Sequence, residues 1–376
     1  MMAPSRRAVA VVDTGAVERN CARLAGDLTD GARLCAVVKA DGYGHGAVEC
    51  GRAALAGGAT WLAVAAAPEA AELRAQLPEV PLLTMGALTD PELEVALDAR
   101  SEVAVWRHEH AERVAACGEE RGIRPRVHVK YDTGMGRLGE RDPDVVLRLL
   151  EAAAGDGRLE LAGLWTHFAT ADERDSDFFD RQLERFSALV DRARMDHHDL
   201  LVHGANSAAA LRDPAAHFDM VRCGIAIYGL DPFHADPDEH GLQPALELGS
   251  YVADIKRFAR GDSAGYGQRW RASVETCVAV LPIGYGDGVR RGLTNNADVL
   301  VNGQRYPLVG TVSMDNVTVE LGPATRVSTG AAATLIGSQG GERILCEEVA
   351  RRLATINYEV TSGISSRVPR VYVRSA

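Results

Sequence analysis

Short, nearly continuous apolar stretches recur along the first two thirds of the chain, with polar stretches of helical spacing between them. The apolar runs are LCAVVKA (34–40), TWLAVA (60–65), VPLLTMG (80–86), EVAVW (102–106), RVHVKYD (126–132), LAGLWTHF (161–168), LLVHGANS (200–207) and DMVRCGIAIYG (219–229). Runs of this kind suit strands that are buried on both faces. The intervening PEAAELRAQL, PELEVALDA, HEHAERVAACGEER and FFDRQLERFSALVDRARM read as helices. Strands alternating with helices predict a parallel sheet. Eight such units in about 230 residues predict a (β/α)8 TIM-type barrel, with an open doubly wound sheet as the alternative.

The pattern changes after about Pro232. ADPDEHGLQP reads as a polar linker. Strand-like segments follow: LELGSYVADIKRF, ETCVAVLPIG, ADVLVNGQRYPLVGTV, NVTVEL, AAATLIG and RVYV. Asn302-Gly303 between apolar strands predicts a type I′ hairpin. CEEVARRLAT (346–355) is the one helix expected in this region. The expected organisation is an N-terminal strand within 1–13 that joins the β domain, a barrel over 14–235, and a mostly β C-terminal domain over 236–376.

Length and charge narrow the classes. A chain of 376 residues exceeds one average domain of roughly 150 residues. Its 46% hydrophobic and 25% charged composition is that of a globular protein. With 41 basic and 52 acidic residues the formal charge is −11, a poor match for nucleic acid or an anionic membrane surface. No apolar run approaches the roughly 18 residues that span a bilayer. Asp13 interrupts any signal-like apolar core, so a cytoplasmic location is expected. The seven cysteines are scattered, without a C-x-x-C pair, so neither a disulfide framework nor a zinc site is expected, and no metal.

One composition fact points to chemistry. Only three basic residues are lysine: Lys39, Lys130 and Lys256. Where arginine serves as the general surface cation, a lysine invites a chemical reason, because only the amine forms a Schiff base or takes a useful pKa shift. Reacting groups of a barrel come from the C-terminal ends of its strands. The first barrel strand ends in Lys39, ahead of ADGYGHG. The fifth carries Lys130, the sixth ends in His167, the seventh in Asn206-Ser207, and the eighth carries Arg222 before Gly224-Ile225. A lysine amine buried at a strand end is nucleophilic near neutrality. A hydroxyl at Ser207 and close backbone approach at Gly224 and Ile225 suit a phosphate after strands seven and eight. An imine-forming lysine with a phosphate cradle suggests pyridoxal phosphate.

Other motifs have plainer readings. GYGHG lacks the dinucleotide spacing, and Lys39 precedes the glycines where a Walker lysine follows them. HEH (108–110) and DHHD (196–199) read as solvated polar faces. In the β domain GYG (265–267), GYGDG (284–288) and SMD (313–315) are either tight turns or ligand-facing clusters.

Taken together, AVVKADGYGHG (36–46), KYDTGMGRLG (130–139), THF (166–168), NS (206–207), MVRCGIAIYG (220–229), GYGQRW (265–270), PIGYGDG (282–288), VGTVSMDN (309–316) and INYEV (356–360) resemble the bacterial alanine racemases over essentially the whole chain. The resemblance implies a (β/α)8 barrel followed by a β-rich domain, in a homodimer with two composite active sites. It implies that Lys39 holds pyridoxal phosphate covalently and that Tyr266 is the second base, reaching the partner's site. Tyr43, Ser207, Gly224, Ile225 and Tyr358 would contact phosphate, and Arg222 the pyridine nitrogen. Arg137, the Met314 amide from the partner chain, and Tyr285 would face the substrate. Lys130 matches a position often carbamylated, where it orients Arg137. Gly265 departs from a usual serine and Thr311 from a common arginine.

The implied reaction is two-base interconversion of L- and D-alanine in the cytoplasm, serving D-alanine biosynthesis and peptidoglycan precursors. A tyrosine ordinarily titrates near about 10 and needs help to act as a base. A Tyr266–His167–Arg222 chain is the expected source. Arginine at the pyridine nitrogen opposes ring protonation and limits side reactions. A barrel-type pyridoxal-phosphate decarboxylase and a non-enzymatic cofactor carrier are the rival readings.

Overall fold

The computed structural model describes residues 6–29 and 31–375. Two compact units are present. One runs from Val17 to Ile227; the other joins Tyr228 onward with the segment up to Ala16. The first strand, β1 (Val9–Asp13), belongs to the second unit.

The first unit is a closed parallel barrel of eight strands: β2 (Arg33–Val37), β3 (Trp61–Val64), β4 (Leu82–Thr84), β5 (Glu102–Val105), β6 (Arg126–Lys130), β7 (Glu160–Trp165), β8 (Leu201–His203) and β9 (Met220–Cys223). Closure comes from β2 pairing with β9, Cys35 opposite Arg222. Alternate residues on each strand serve different neighbours. Val103 and Val105, Val127 and Val129, Leu164 and Val202 pack with Leu93, Leu149, Leu150 and Phe186 of the surrounding helices. Each such side chain contributes roughly 1.5–3 kcal/mol by leaving water. The inward set is mixed. Cys35, Val37, Trp61, Ala63, Leu83 and Met220 form an apolar cluster, whereas His128, Lys130, His203 and Arg222 are buried polar residues of β6, β8 and β9. An open doubly wound sheet is excluded by the closure.

The second unit is built on a ten-stranded sheet. Its main path runs Asp254–Phe258, Thr276–Leu281, Val317–Gly322, Gln304–Val309, Ala297–Val301, Ala332–Gln339, Leu246–Tyr251, β1 and Arg370–Val373. Neighbours along it are antiparallel, except that β1 runs parallel to Arg370–Val373. Strands alternate in burial, as Leu246–Tyr251 and Val317–Gly322 do residue by residue, which fits a sheet with one covered face. Asn302 and Gly303 adopt φ of 52° and 73°, the paired positive values of a type I′ turn.

The helix Cys346–Leu353 ends where Ala354 turns left-handed at φ 53°. The sequence pattern shows only that one helix; the structure adds a second, Asn357–Ser362. At six residues it is too short for helical periodicity to emerge from INYEV. The expected linker is a fixed turn. Asp236 caps Pro237–His240, and Arg343 pairs with both Asp236 and Asp238. Among the described residues no helix is long and apolar enough to cross a membrane.

Candidate active site

At the C-terminal rim of the barrel, β2 leads through Val38 into a left-handed turn. Ala40, Asp41, Gly42 and Tyr43 take φ of 52°, 50°, 60° and 53°. For L-residues this conformation costs roughly 1–2 kcal/mol each, so something must hold it. Glu69 accepts from the Ala40 amide at 2.6 Å and, with its other oxygen, from Ala65 and Ala66 at 3.0 and 3.1 Å. Asp41 accepts from the Ala47 amide at 2.9 Å. The turn aims Lys39 and Tyr43 at the same space, with Lys39 Nζ 5.8 Å from the Tyr43 ring centre. Burial, with Arg137 and Arg222 nearby, lowers the Lys39 pKa against the opposing pull of Glu69.

Lys130 ends β6 with Nζ 4.0 Å from the Trp165 ring centre. Burial first, then Arg222, Arg137 and Lys39, push it down to about 7, with Asp132 opposing. Asp132 spends its oxygens on the Gly134 and Gly136 amides. Arg222 is fully enclosed. Its Nη2 donates to the Thr166 and Gly204 carbonyls at 2.8 and 3.1 Å and meets His167 Nδ1 at 3.2 Å, while Nη1 meets His203 Nδ1 at 2.8 Å. Burial brings Arg222 down to about 10. Burial and the cations Arg222, Lys130, Arg137 and Lys39 hold His167 well below its ordinary value, so its ring is neutral. Arg137 is exposed.

Ser207, Gly224, Ile225 and Tyr43 lie together. Ser207 Oγ accepts from the Gly224 and Ala226 amides at 3.0 and 3.3 Å. Its own hydrogen is thereby left to point elsewhere, and the Ile225 amide begins a short 3-10 turn. Glycine is required at 224, because a Cβ there would stand 2.4 Å from the Tyr43 hydroxyl. Burial pushes the Tyr43 phenol up, so it is a neutral donor.

The remaining sequence-predicted residues sit in the β unit. Tyr266 is 73% exposed, Met314 51% and Tyr285 43%. Their loops are knit together: the Tyr285 amide donates to the Ser313 carbonyl and the Gly286 amide to the Met314 carbonyl. Asp287, buried beneath, is gripped by Arg7 through both oxygens at 3.0 and 2.7 Å. Arg367 bridges Asp287 to Asp315. Thr311 Oγ1 donates to the Tyr266 carbonyl at 2.6 Å. Tyr358 is half-buried in the helix Asn357–Ser362, its ring 6.5 Å from that of His234. Of the other motifs, Lys256 pairs on the surface with Asp254. His110 is more than a solvated face, packing edge-on against Trp106.

Residues 12–232 match the family described as "Alanine racemase, N-terminal domain" and residues 245–372 its "C-terminal domain". The chain belongs to the alanine racemase family. It is 40% identical over 373 residues to the alanine racemase of Frankia casuarinae, covering 98% of this chain and 96% of that one. With the alanine racemase of Geobacillus stearothermophilus it shares 41% identity over 97% and 93% of the two chains. Among solved structures, alanine racemase from Streptomyces coelicolor superposes with a TM-score of 0.91 at 38% identity over 98% of each chain. That from Streptomyces lavendulae gives 0.93 at 34% identity over 99% and 98%. The barrel followed by a β-rich domain is thus the architecture of an alanine racemase, and the chain is an enzyme of that family.

The left-handed geometry behind Lys39 has one local signal in the sequence, the glycines at 42, 44 and 46. Glu69, which holds that turn, carries none, since it lies 29 positions beyond Ala40.

Proposed function

We propose that the protein interconverts L- and D-alanine with pyridoxal phosphate, Lys39 serving one face of the substrate and Tyr266 from a second copy of the chain serving the other. The observation that carries this reading is the charge of the barrel rim. Lys39, Lys130, Arg137 and Arg222 influence one another electrostatically, while the nearby carboxylates of Glu69 and Asp132 are engaged by backbone amides. A rim that sets two guanidinium groups beside two amines able to take up or release a proton fits a ligand with several negative groups, as a phosphate and a substrate carboxylate provide. The Tyr43 hydroxyl, the Ser207 hydroxyl, Gly224 and the Ile225 amide form the cradle for the phosphate, with Tyr358 as a further contact.

Pyridoxal phosphate bound there supplies the electron sink that acidifies the substrate α-proton. Lys39, its pKa lowered by burial, gives up its proton more readily than a free lysine, which suits it to bond the cofactor and to carry a proton on one face. Arg222 would face the ring nitrogen, where its positive charge would oppose protonation. His167 accepts from Arg222 through Nδ1 and offers its other nitrogen to the Tyr266 phenol, completing a Tyr–His–Arg chain. Arg137 takes the substrate carboxylate, joined by the Met314 amide and Tyr285 of the second copy. A neutral Lys130 amine adds to carbon dioxide with release of a proton. The resulting carbamate sets an anion where it orients Arg137. The exposure of Tyr266, Tyr285 and Met314 on one linked set of loops supports their presentation to a second copy in a homodimer. The barrel domain, 14–235, is the cofactor-binding part and 236–376 the part that reaches across. The product suits a cytoplasmic supply of D-alanine for peptidoglycan precursors.

The test is an enantiomer-resolved assay over a panel of amino acids with added cofactor. Alanine should give its opposite enantiomer fastest, with serine next. Carbon dioxide release would replace this reading with decarboxylation. Bound cofactor without α-proton exchange in deuterated water would replace it with a carrier.

A further inference from the structure

A second polar system fills the barrel interior below the rim. His128 Nε2 lies 2.6 Å from Glu102 Oε2, His128 Nδ1 lies 2.9 Å from His203 Nε2, and His203 Nδ1 lies 2.8 Å from Arg222 Nη1. Both imidazoles are fully buried. The strands β5, β6, β8 and β9 each supply one member, and β7 makes room: a Cβ at Gly163 would stand 2.3 Å from His128 Nδ1. Trp165 stacks on His203, centroids 5.7 Å apart at 11°, and Trp61 meets His128 edge-on at 6.1 Å. At the N-terminal end of the barrel, Arg126 Nε donates to the other Glu102 oxygen at 2.7 Å and its guanidinium also pairs with Glu160.

The two ends of the chain hold the direction of every proton between them: the Glu102 carboxylate only accepts and the Arg222 guanidinium only donates, so losing either end loosens the order. A guanidinium only donates, so His203 Nδ1 accepts. A neutral His203 then carries its hydrogen on Nε2 and donates to His128 Nδ1. His128 in turn carries its hydrogen on Nε2 and donates to Glu102. An imidazolium at either ring, or the opposite tautomer at either, would bring two N–H groups face to face. The short histidine–carboxylate contact is therefore a hydrogen bond of a neutral ring rather than an ion pair. The depressed pKa of His203, from burial and then Arg222, agrees.

We propose that Glu102 is a positioning residue. Acting through His128 and His203, it fixes one tautomer in each ring so that Arg222 always meets an acceptor and its guanidinium stays in one orientation toward the cofactor ring. The catalytic meaning of this chain rests on the proposed function; the tautomers do not.

The experiment is nitrogen-15 NMR of the histidine-labelled holoenzyme with steady-state kinetics. In the native protein both rings should be neutral with hydrogen on Nε2. Glu102→Gln keeps an oxygen acceptor for His128 and should keep both tautomers and near-native kcat. Glu102→Leu removes the acceptor. Mixed tautomers at His128 and His203 should follow, with kcat lowered about tenfold at little change in KM, the kinetic equivalent of one lost hydrogen bond. An imidazolium or an Nδ1–H ring in the native protein would overturn the proposal. So would a leucine variant with native tautomers and kcat, or a glutamine variant as impaired as leucine. If the leucine variant does not fold, the native spectrum and the glutamine variant decide. Native tautomers as expected in a protein that does not racemise alanine would count against the proposed function alone.

Discussion

The Lys130 amine and the Arg222 guanidinium both lie close to the Trp165 ring, at 4.0 and 4.8 Å from its centre. Two cations beside one indole repel each other, and the amine is the one that can shed its charge. With its pKa at about 7 in the fold and about 10.4 in the unfolded chain, Lys130 binds more protons unfolded throughout that interval. The Lys130 contribution to stability therefore rises with pH from about 7 towards about 10, by at most about 1.4 kcal/mol per unit, while the buried thiols of Cys21, Cys35, Cys50, Cys223 and Cys346, raised by burial, work in the opposite direction above the ordinary thiol range. Lys39 shifts in the same direction and adds to the rise. Urea unfolding of the native protein and of Lys130→Met at pH 7 and pH 9 in carbon-dioxide-free buffer should show it as a difference: the native protein should gain stability relative to the variant as pH rises.

Tyr266→Phe keeps the ring and removes the hydroxyl. Racemisation should fall about 10²- to 10⁴-fold, the usual span for losing a general acid–base group. The absorbance of bound cofactor should be unchanged, because Lys39 and the phosphate cradle lie in the barrel. Turnover at the native rate would remove Tyr266 from the mechanism.

Gly265 and Thr311 set the backbone of Tyr266. Gly265 has φ 73°, and a Cβ there would lie 2.9 Å from the Thr311 amide nitrogen. Gly265→Ser should lower stability by about 1–2 kcal/mol for the left-handed backbone alone and reduce kcat through a displaced Tyr266. Thr311→Ala, which removes the bond to the Tyr266 carbonyl, should lower stability by about 1 kcal/mol. Thermal melts and kcat for the two variants check both statements.

Glu69 holds the left-handed turn from outside it. Glu69→Ala leaves the Ala40, Ala65 and Ala66 amides without their acceptor. The protein should lose about 1–3 kcal/mol, and Lys39 should be trapped more slowly by borohydride in the presence of cofactor. Glu69→Gln retains an oxygen and should recover part of both. Equal behaviour of the two variants would show that charge, rather than acceptance, is what the turn needs.

The barrel was legible because eight apolar runs alternate with helical spacing, and Lys39 and Lys130 stood out because lysine is scarce in this chain. Asn302-Gly303 announced its turn because both residues tolerate positive φ. What stayed hidden depends on register. Glu102, His128 and His203 meet because β5, β6 and β8 pair at particular offsets, and nothing local says that these residues share the barrel interior. Ser207 and Gly224 were readable as neighbours of a phosphate. That the glycine amide is already committed to the serine oxygen depends on the folded backbone bringing β9 to the start of the helix at Ser207. The short helix bearing Tyr358 had too few residues to show a period.

The parallel pairing of β1 with Arg370–Val373 bears on how the polypeptide is made. β1 leaves the ribosome about 360 residues ahead of Arg370–Val373, one of its two sheet neighbours. The barrel can close during translation, whereas β1 must wait, its edge unmatched, until Arg370–Val373 has been made. Slow completion of the last-formed sheet is the expected bottleneck in producing this protein, and chaperone demand should fall on the interval before residue 373 emerges.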